Sequence, residues 1–232
     1  MKWTNPISKD IDWHREIINR TEKEAVAKKA AKRLKDGDVV GVGSGSTSYL
    51  ALLALVERRD KEKLSFTAIV ASVEMELICA ALCVPVAQLH LLRPDWSFDG
   101  ADEVDAKNNI IKGRGGAMLR EKLVLKASPE RYILIDHSKK VKRLGQNFAV
   151  PVEVYPEAVH LVESALNEIK EVTSVSLRQA VVKDGPLITE YGNLVLDVKF
   201  SKIALGMEQK LKAIVGVVET GLFMDYKVTI IV

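Results

Sequence analysis

The chain has 232 residues, 47% hydrophobic and 28% charged, with 34 Lys and Arg against 31 Asp and Glu for a net charge of +3. That length supports one large domain, or a domain with a smaller companion, around a sizeable core. The near-balance of charge leaves no electrostatic footprint for nucleic acid, whereas a small anion needs only local positive charge.

The first twenty residues carry charges throughout and hold no apolar stretch of signal-peptide type, and no run in the chain approaches the ~18 apolar residues of a spanning helix. A cytoplasmic protein without membrane contact is expected. Residues 21–35, TEKEAVAKKAAKRLK, predict a helix by their Ala, Lys and Glu content. DGDVVGVG then gives a turn and a short apolar strand, and a helix follows from about Ser46. LSFTAIVAS reads as a strand, VEMELICAALC as a helix, VPVAQLHLL as another strand, and WSFDGADEVD as a strand end running into a loop. AMLREKLVLKAS is a helix and RYILIDHSK an apolar strand. Such alternation argues for an α/β fold with a parallel, Rossmann-like sheet.

After Gly145 the rhythm becomes β-α-β-β-α-β, the order of a ferredoxin-like α+β unit. It runs through FAVPVEVYP, EAVHLVESALNEIK, VTSVSLRQAV, the strand around YGNLVLDVKF, GMEQKLKAIVG and VVETGLFM. The closing YKVTIIV is a strand able to rejoin the first sheet. The expected division is 1–144 as the main domain, with 1–20 an extension of no assigned role, 145–217 as the inserted domain, and 218–232 as the returning segment. Cys79 and Cys83, four apart, would share a helix face as buried thiols and form no disulfide framework. His14, His90, His137 and His160 are scattered without zinc spacing, so a metal enzyme built on His or Cys is not expected.

Four stretches pair residues with chemistry. In VVGVGSGSTSYL a buried strand ends at Gly43, and Ser44, Gly45, Ser46 and Thr47 lead into a helix. Unpaired N–H groups and the helix dipole there favour a phosphate, while a simple hydroxyl cap accounts equally for Ser46 or Thr47. Gly41, Gly43 and Gly45 lack the third glycine of the dinucleotide fingerprint, and no P-loop ending is present. The acidic run Asp99, Asp102, Glu103, Asp105 fails the calcium-loop pattern but follows an apolar strand, where open α/β sheets place ligands. In KGRGGAMLREK, Lys112 offers positive charge, Gly113, Gly115 and Gly116 offer backbone donors, and Glu121 is a candidate base. ILIDHSK adds Lys139, either a solvated lysine or a second cation. A carboxylate base, a cation with donors for an enediolate, and an anchor for a remote phosphate together suit a carbonyl shift between C1 and C2 of a sugar phosphate. Such a shift needs no cofactor, and none is expected.

GVGSGSTS, DGADEVD, KGRGGAMLREK, ILIDHSK and YGNLVLD…GVVETGLF, in that order, resemble the type A ribose-5-phosphate isomerase family over roughly residues 21–225. The resemblance implies interconversion of D-ribose 5-phosphate and D-ribulose 5-phosphate through an enediol(ate), without a metal, in the non-oxidative pentose phosphate pathway. It makes Glu121 the base between C1 and C2 and gives Asp99 ring opening and proton movement on the sugar oxygens. Asp102 and Lys112 hold the reacting end. The implied substrate contacts are Ser44, Gly45, Ser46, Thr47, Asp99, Gly100, Ala101, Asp102, Lys112, Gly113, Arg114, Gly115 and Lys139, with Lys23 a weaker phosphate contact. Arg114 stands where many relatives have Gly. A homodimer or homotetramer is implied. A non-catalytic sugar-phosphate sensor would keep the phosphate loop and lose the base, acids or lysine; an amino-sugar-phosphate deaminase or acyl-CoA transferase would carry other catalytic residues. The presence of Glu121, Asp99, Asp102 and Lys112 together favours the isomerase.

Overall fold

The computed structural model describes Trp13 and residues 16–232. Most of the extension 1–20, and His14 with it, lies outside the described residues. The elements in chain order are α1 (Arg20–Ala31), β1 (Asp38–Val42), α2 (Gly45–Glu62), β2 (Phe66–Val70), α3 (Val73–Ala81), β3 (Trp96–Asp99), β4 (Glu103–Val104) and β5 (Ile110–Ile111). They continue with α4 (Met118–Ala127), β6 (Glu130–Leu134), β7 (Val150–Val154), α5 (Val159–Asn167), β8 (Val172–Leu177), β9 (Leu194–Phe200), α6 (Met207–Lys212), β10 (Val217–Thr220), β11 (Leu222–Phe223) and β12 (Thr229–Ile231). Among the described residues, no helix is long and apolar enough to cross a membrane.

The chain divides into two compact units. The first comprises the described residues up to Gly100, with Leu123–Asp136 and Val228–Val232. Its five strands lie in the order β12-β6-β3-β1-β2, and every pairing is parallel. These strands are short runs of Val, Ile, Leu and Phe, as suits strands buried among helices. α1 buries Val26, Ala27, Ala30 and Ala31, a stripe at helical spacing. Val40, Val42, Leu52, Leu55, Phe98 and Leu134 form the centre of the core, and the Trp13 ring stacks on Tyr49 at 5.6 Å. From β1 the sheet grows one way to β2 and the other way to β3. That reversal is the switch point at which open α/β sheets leave room for a ligand beyond the strand ends. The chain leaves it through Gly43 and Ser44 into α2, and through Gly100 after β3.

The second unit comprises Ala101–Lys122 and His137–Lys227. Its four-stranded antiparallel sheet has the order β10-β7-β9-β8, and with α5 and α6 it makes the expected ferredoxin-like arrangement. Val152, Val162, Leu166, Val198 and Leu211 fill its core. A small antiparallel sheet, β11-β5-β4, accompanies it.

Several expectations change in detail. Residues 84–92 form no strand; only an isolated bridge pairs Ala68 with Val86. Pro85 has no N–H to give a ladder, and Leu91 and Leu92 are exposed. VVETGLFM supplies two strands in two sheets, β10 and β11, parted by Gly221, whose Cβ would lie 2.2 Å from the Lys112 carbonyl oxygen. Cys79 is buried, but Cys83 is exposed, because α3 ends at Ala81 and Cys83 sits beyond it at φ 56°. The compact units are also cut elsewhere than at 144 and 217. Residues 101–122 fall with the second unit because β5 pairs with β11 and carries β4 on its other edge, and because Glu103 accepts from the backbone N–H groups of Gly145 and Phe148 at 2.7 and 2.9 Å.

Candidate active site

In the first unit, α2 starts at Gly45 with Ser44 in the N-cap position. The Ser44 side chain makes no capping bond, and Ser46 and Thr47, the two residues a cap would have explained, lie inside the helix and not at its N-cap. Gly45 is needed for its φ of +81°. Ser46 Oγ accepts from Lys23 Nζ at 3.2 Å, and the lysine is buried. An 18-residue helix thus points its N-terminus, with hydroxyls and one ammonium, at the same loop. That is a favourable setting for a phosphate dianion.

Asp99 ends β3 and is 4% exposed. Its Oδ1 accepts from Ser48 Oγ at 3.2 Å and from Gly100 N at 2.7 Å. Gly43 donates its N–H to the Phe98 carbonyl at 2.8 Å, and a Cβ on Gly43 would lie 2.1 Å from Asp99 Cγ. Gly41 is similarly closed by Ser97 and Val124. These two glycines therefore serve the packing of β1 against its neighbours, whereas Gly45, the first residue of α2, has open space at its Cβ position. Thr47 is buried, with its side chain 3.6 Å from the Cβ position of Gly100.

In the second unit, Lys112 follows β5 and Glu121 lies in the first turn of α4. Lys112 Nζ stands 3.3 Å from Glu121 Oε1, with the two side chains 4% and 5% exposed. Two desolvated charges so close tolerate the loss of neither partner, at about 3–5 kcal/mol. Their positions hold from several sides. Lys112 N donates to the Gly221 carbonyl at 2.9 Å, and Glu121 N donates to Ala117 O at 3.0 Å. The neighbouring Lys122 drives its ammonium into four acceptors: Glu208 Oε1, Glu219 Oε1 and the carbonyls of Thr220 and Leu222, at 2.8–2.9 Å. Asp102 Oδ2 accepts from Arg114 N at 3.2 Å. Gly113 (φ +93°) and Gly116 (φ +87°) allow the turn between β5 and α4, while Arg114 and Gly115 are exposed. Lys139 lies in a single 3-10 turn, His137–Lys139, with Nζ 5.6 Å from the Phe148 ring centre. The Arg114 guanidinium is also 5.6 Å from that ring.

The expected residues thus form two groups, one in each unit. Ser44 to Thr47, Lys23, Asp99 and Gly100 belong to the first; Ala101, Asp102, Lys112 to Gly115, Glu121 and Lys139 belong to the second. Of the other two acids of the run, Glu103 is a backbone clasp for 145–148 and Asp105 accepts from Asn109. Sequence reasoning passed over Lys122 and Arg178. A Lys after a Glu in a helix looks like a solvated residue, and only its burial shows otherwise. Among the described residues, no three His, Cys, Asp or Glu side chains converge as a metal-binding group.

The family model described as ribose 5-phosphate isomerase A (phosphoriboisomerase A) matches residues 67–232. The ribose-5-phosphate isomerase A of Synechococcus sp. is 42% identical over 206 residues, spanning 87% of this chain and 88% of that protein. The solved ribose 5-phosphate isomerase A of Methanocaldococcus jannaschii superposes with a TM-score of 0.87 at 38% identity, covering 92% of this chain and 96% of the other. A solved D-ribose-5-phosphate isomerase in complex with phospho-erythronic acid superposes with a TM-score of 0.85 at 36% identity, covering 88% and 90%.

Proposed function

Because this chain belongs to the ribose 5-phosphate isomerase A family and interconverts D-ribose 5-phosphate and D-ribulose 5-phosphate, we propose that Glu121 is the base that carries the proton between C1 and C2. The observation that carries the assignment is the buried ion pair of Glu121 with Lys112 at 3.3 Å. A carboxylate beside a fixed ammonium, shielded from water, can take a carbon-bound proton while the ammonium balances the charge that develops on the enediolate oxygens. Lys112 and the backbone of Gly113, Arg114 and Gly115 receive that charge, and Asp102 orients the reacting end. Asp99 opens the furanose ring and moves protons on the sugar oxygens; its carboxylate is held ready by Ser48 and Gly100. Ser44, Gly45, Ser46 and Thr47, with Lys23 at their back, bind the phosphate, and Lys139 adds positive charge. The proton that leaves C2 returns to C1 on the same carboxylate, so the reaction needs no redox partner. On the same reading the enzyme acts without a metal, in the cytoplasm, as a homodimer or homotetramer.

The test follows ribulose 5-phosphate formation from ribose 5-phosphate, with a chelator present, in the wild type and in Glu121→Gln. The variant should be less stable to urea, because Lys112 loses its buried partner, and among its folded molecules should lose about 100-fold or more in kcat. A folded Glu121→Gln with near wild-type kcat removes Glu121 from the base role, and wild-type activity abolished by chelator removes the metal-free reading. Sedimentation of the wild type reads the assembly, and a monomer at assay concentration refutes that part.

A further inference from the structure

Arg178, just past β8, makes contacts that a surface arginine does not. Its Nη1 donates to the carbonyl oxygens of Gly113 and Arg114, both at 2.8 Å. Its Nε donates to Asp197 Oδ2 at 2.9 Å, and Nη2 to Asp197 Oδ1. Asp197, on β9, thereby fixes the plane of the fork, and the arginine side chain is only 15% exposed. The segment that follows Arg178 meets the same loop again: Leu187 lies 3.2 Å from the Cβ position of Gly116. All of these residues belong to the second unit.

A trans peptide points its C=O and its N–H in opposite directions. With the carbonyls of Gly113 and Arg114 both turned onto one guanidinium, the N–H groups of Arg114 and Gly115 must face the other way. The Arg114 N–H does so, donating to Asp102. Two adjoining glycines give this stretch little backbone stiffness of its own; within the loop the Gly113 carbonyl accepts from Gly116 N at 3.0 Å, and Arg178 adds the hold from outside.

We infer that Arg178, braced by Asp197, is a positioning residue that aims the N–H groups of Arg114 and Gly115 toward the reacting end of the sugar phosphate. Asp102 shares that end. The inference rests on the reading above in which the loop after Lys112 receives the enediolate charge. Arg178 touches no substrate; it acts through the backbone it orients. A lysine cannot replace it, because one ammonium cannot span two carbonyls and both oxygens of Asp197 in a plane.

The experiment compares wild type, Arg178→Ala, Arg178→Lys and Asp197→Asn, with Glu121→Gln alongside. It measures kcat, KM, inhibition by phospho-erythronic acid and by inorganic phosphate, and the response to millimolar guanidinium chloride. Misaimed donors should lower kcat by roughly 10- to 100-fold in Arg178→Ala, less than outright loss of an oxyanion donor, with KM changed little. Phospho-erythronic acid should weaken by a similar factor while inorganic phosphate inhibits as before. Guanidinium should restore part of kcat to Arg178→Ala and none to Glu121→Gln. Arg178→Lys and Asp197→Asn should fall between, and they decide the matter if the Ala variant does not fold. A folded variant with wild-type kcat overturns the inference, as does a loss that guanidinium leaves untouched and that weakens both inhibitors alike. If Glu121→Gln stays active while Arg178→Ala loses kcat, the base assignment fails and the positioning role stands.

Discussion

Replacing Gly43 by Ala puts a methyl carbon 2.1 Å from both Cγ and Oδ1 of Asp99, and 2.6 Å from its Cβ. Carbon atoms settle at about 3.5 Å or more, so the carboxylate has to retreat by about 1.4 Å, or β1 and β3 have to part by the same amount. The strands resist, since Val42 and Phe98 are paired in register and the Gly43 N–H is bonded to the Phe98 carbonyl at 2.8 Å. The side chain is therefore the part that moves, giving up its bonds from Ser48 and Gly100. Overpacking of this kind costs about 1–3 kcal/mol of stability. A reacting group misplaced by on the order of 1 Å loses about 100-fold in rate, or about 2.7 kcal/mol of transition-state stabilisation. Urea denaturation reads the first quantity and kcat/KM the second. A Gly43→Ala enzyme with wild-type kcat/KM and an unchanged urea midpoint refutes the account, because it shows that Asp99 has room that the geometry denies it.

The two cysteines should separate cleanly under iodoacetamide. Burial pushes the Cys79 thiol up to about 12, with Glu76 adding to the shift, whereas Cys83 is exposed; one thiol per chain should react quickly in the native protein and two in denaturant, and two fast thiols in the native state refute this. Glu153 is raised above its ordinary 4.5, first by burial and further by Glu219, against the opposing bonds from Asn193 and Thr189 and the charge of Lys212. The folded chain therefore holds this proton more tightly than the unfolded chain. The contribution is complete below pH 4.5 and is lost as pH rises through the raised folded value. Glu153→Gln should flatten the fall of the urea midpoint above that pH, and an equal fall in both proteins counts against it.

Much of the fold is written in local pattern. Apolar runs of strand length alternate with Ala- and Leu-rich helical stretches, and that alone predicts the parallel sheet; β-α-β-β-α-β predicts the second. The segment 84–92 misleads because its apolar content is that of a strand, while Pro85 and the exposed Leu91 and Leu92 leave it a single bridge to Ala68. Cys83 misleads for a related reason: helical spacing says nothing of where the helix stops.

The sequence by itself determined most of the element types, the motifs and the family they point to, because backbone preference, hydrophobic period and residue type act over a few positions. Tertiary structure alone decided which groups hold those motifs in place. Arg178 meets Gly113 across 65 residues of chain and Lys122 meets Leu222 across 100. Gly43 owes its identity to Asp99 on the adjoining strand. Such partners leave no periodic trace, because a buried charge is recognised only by what surrounds it once water has been removed.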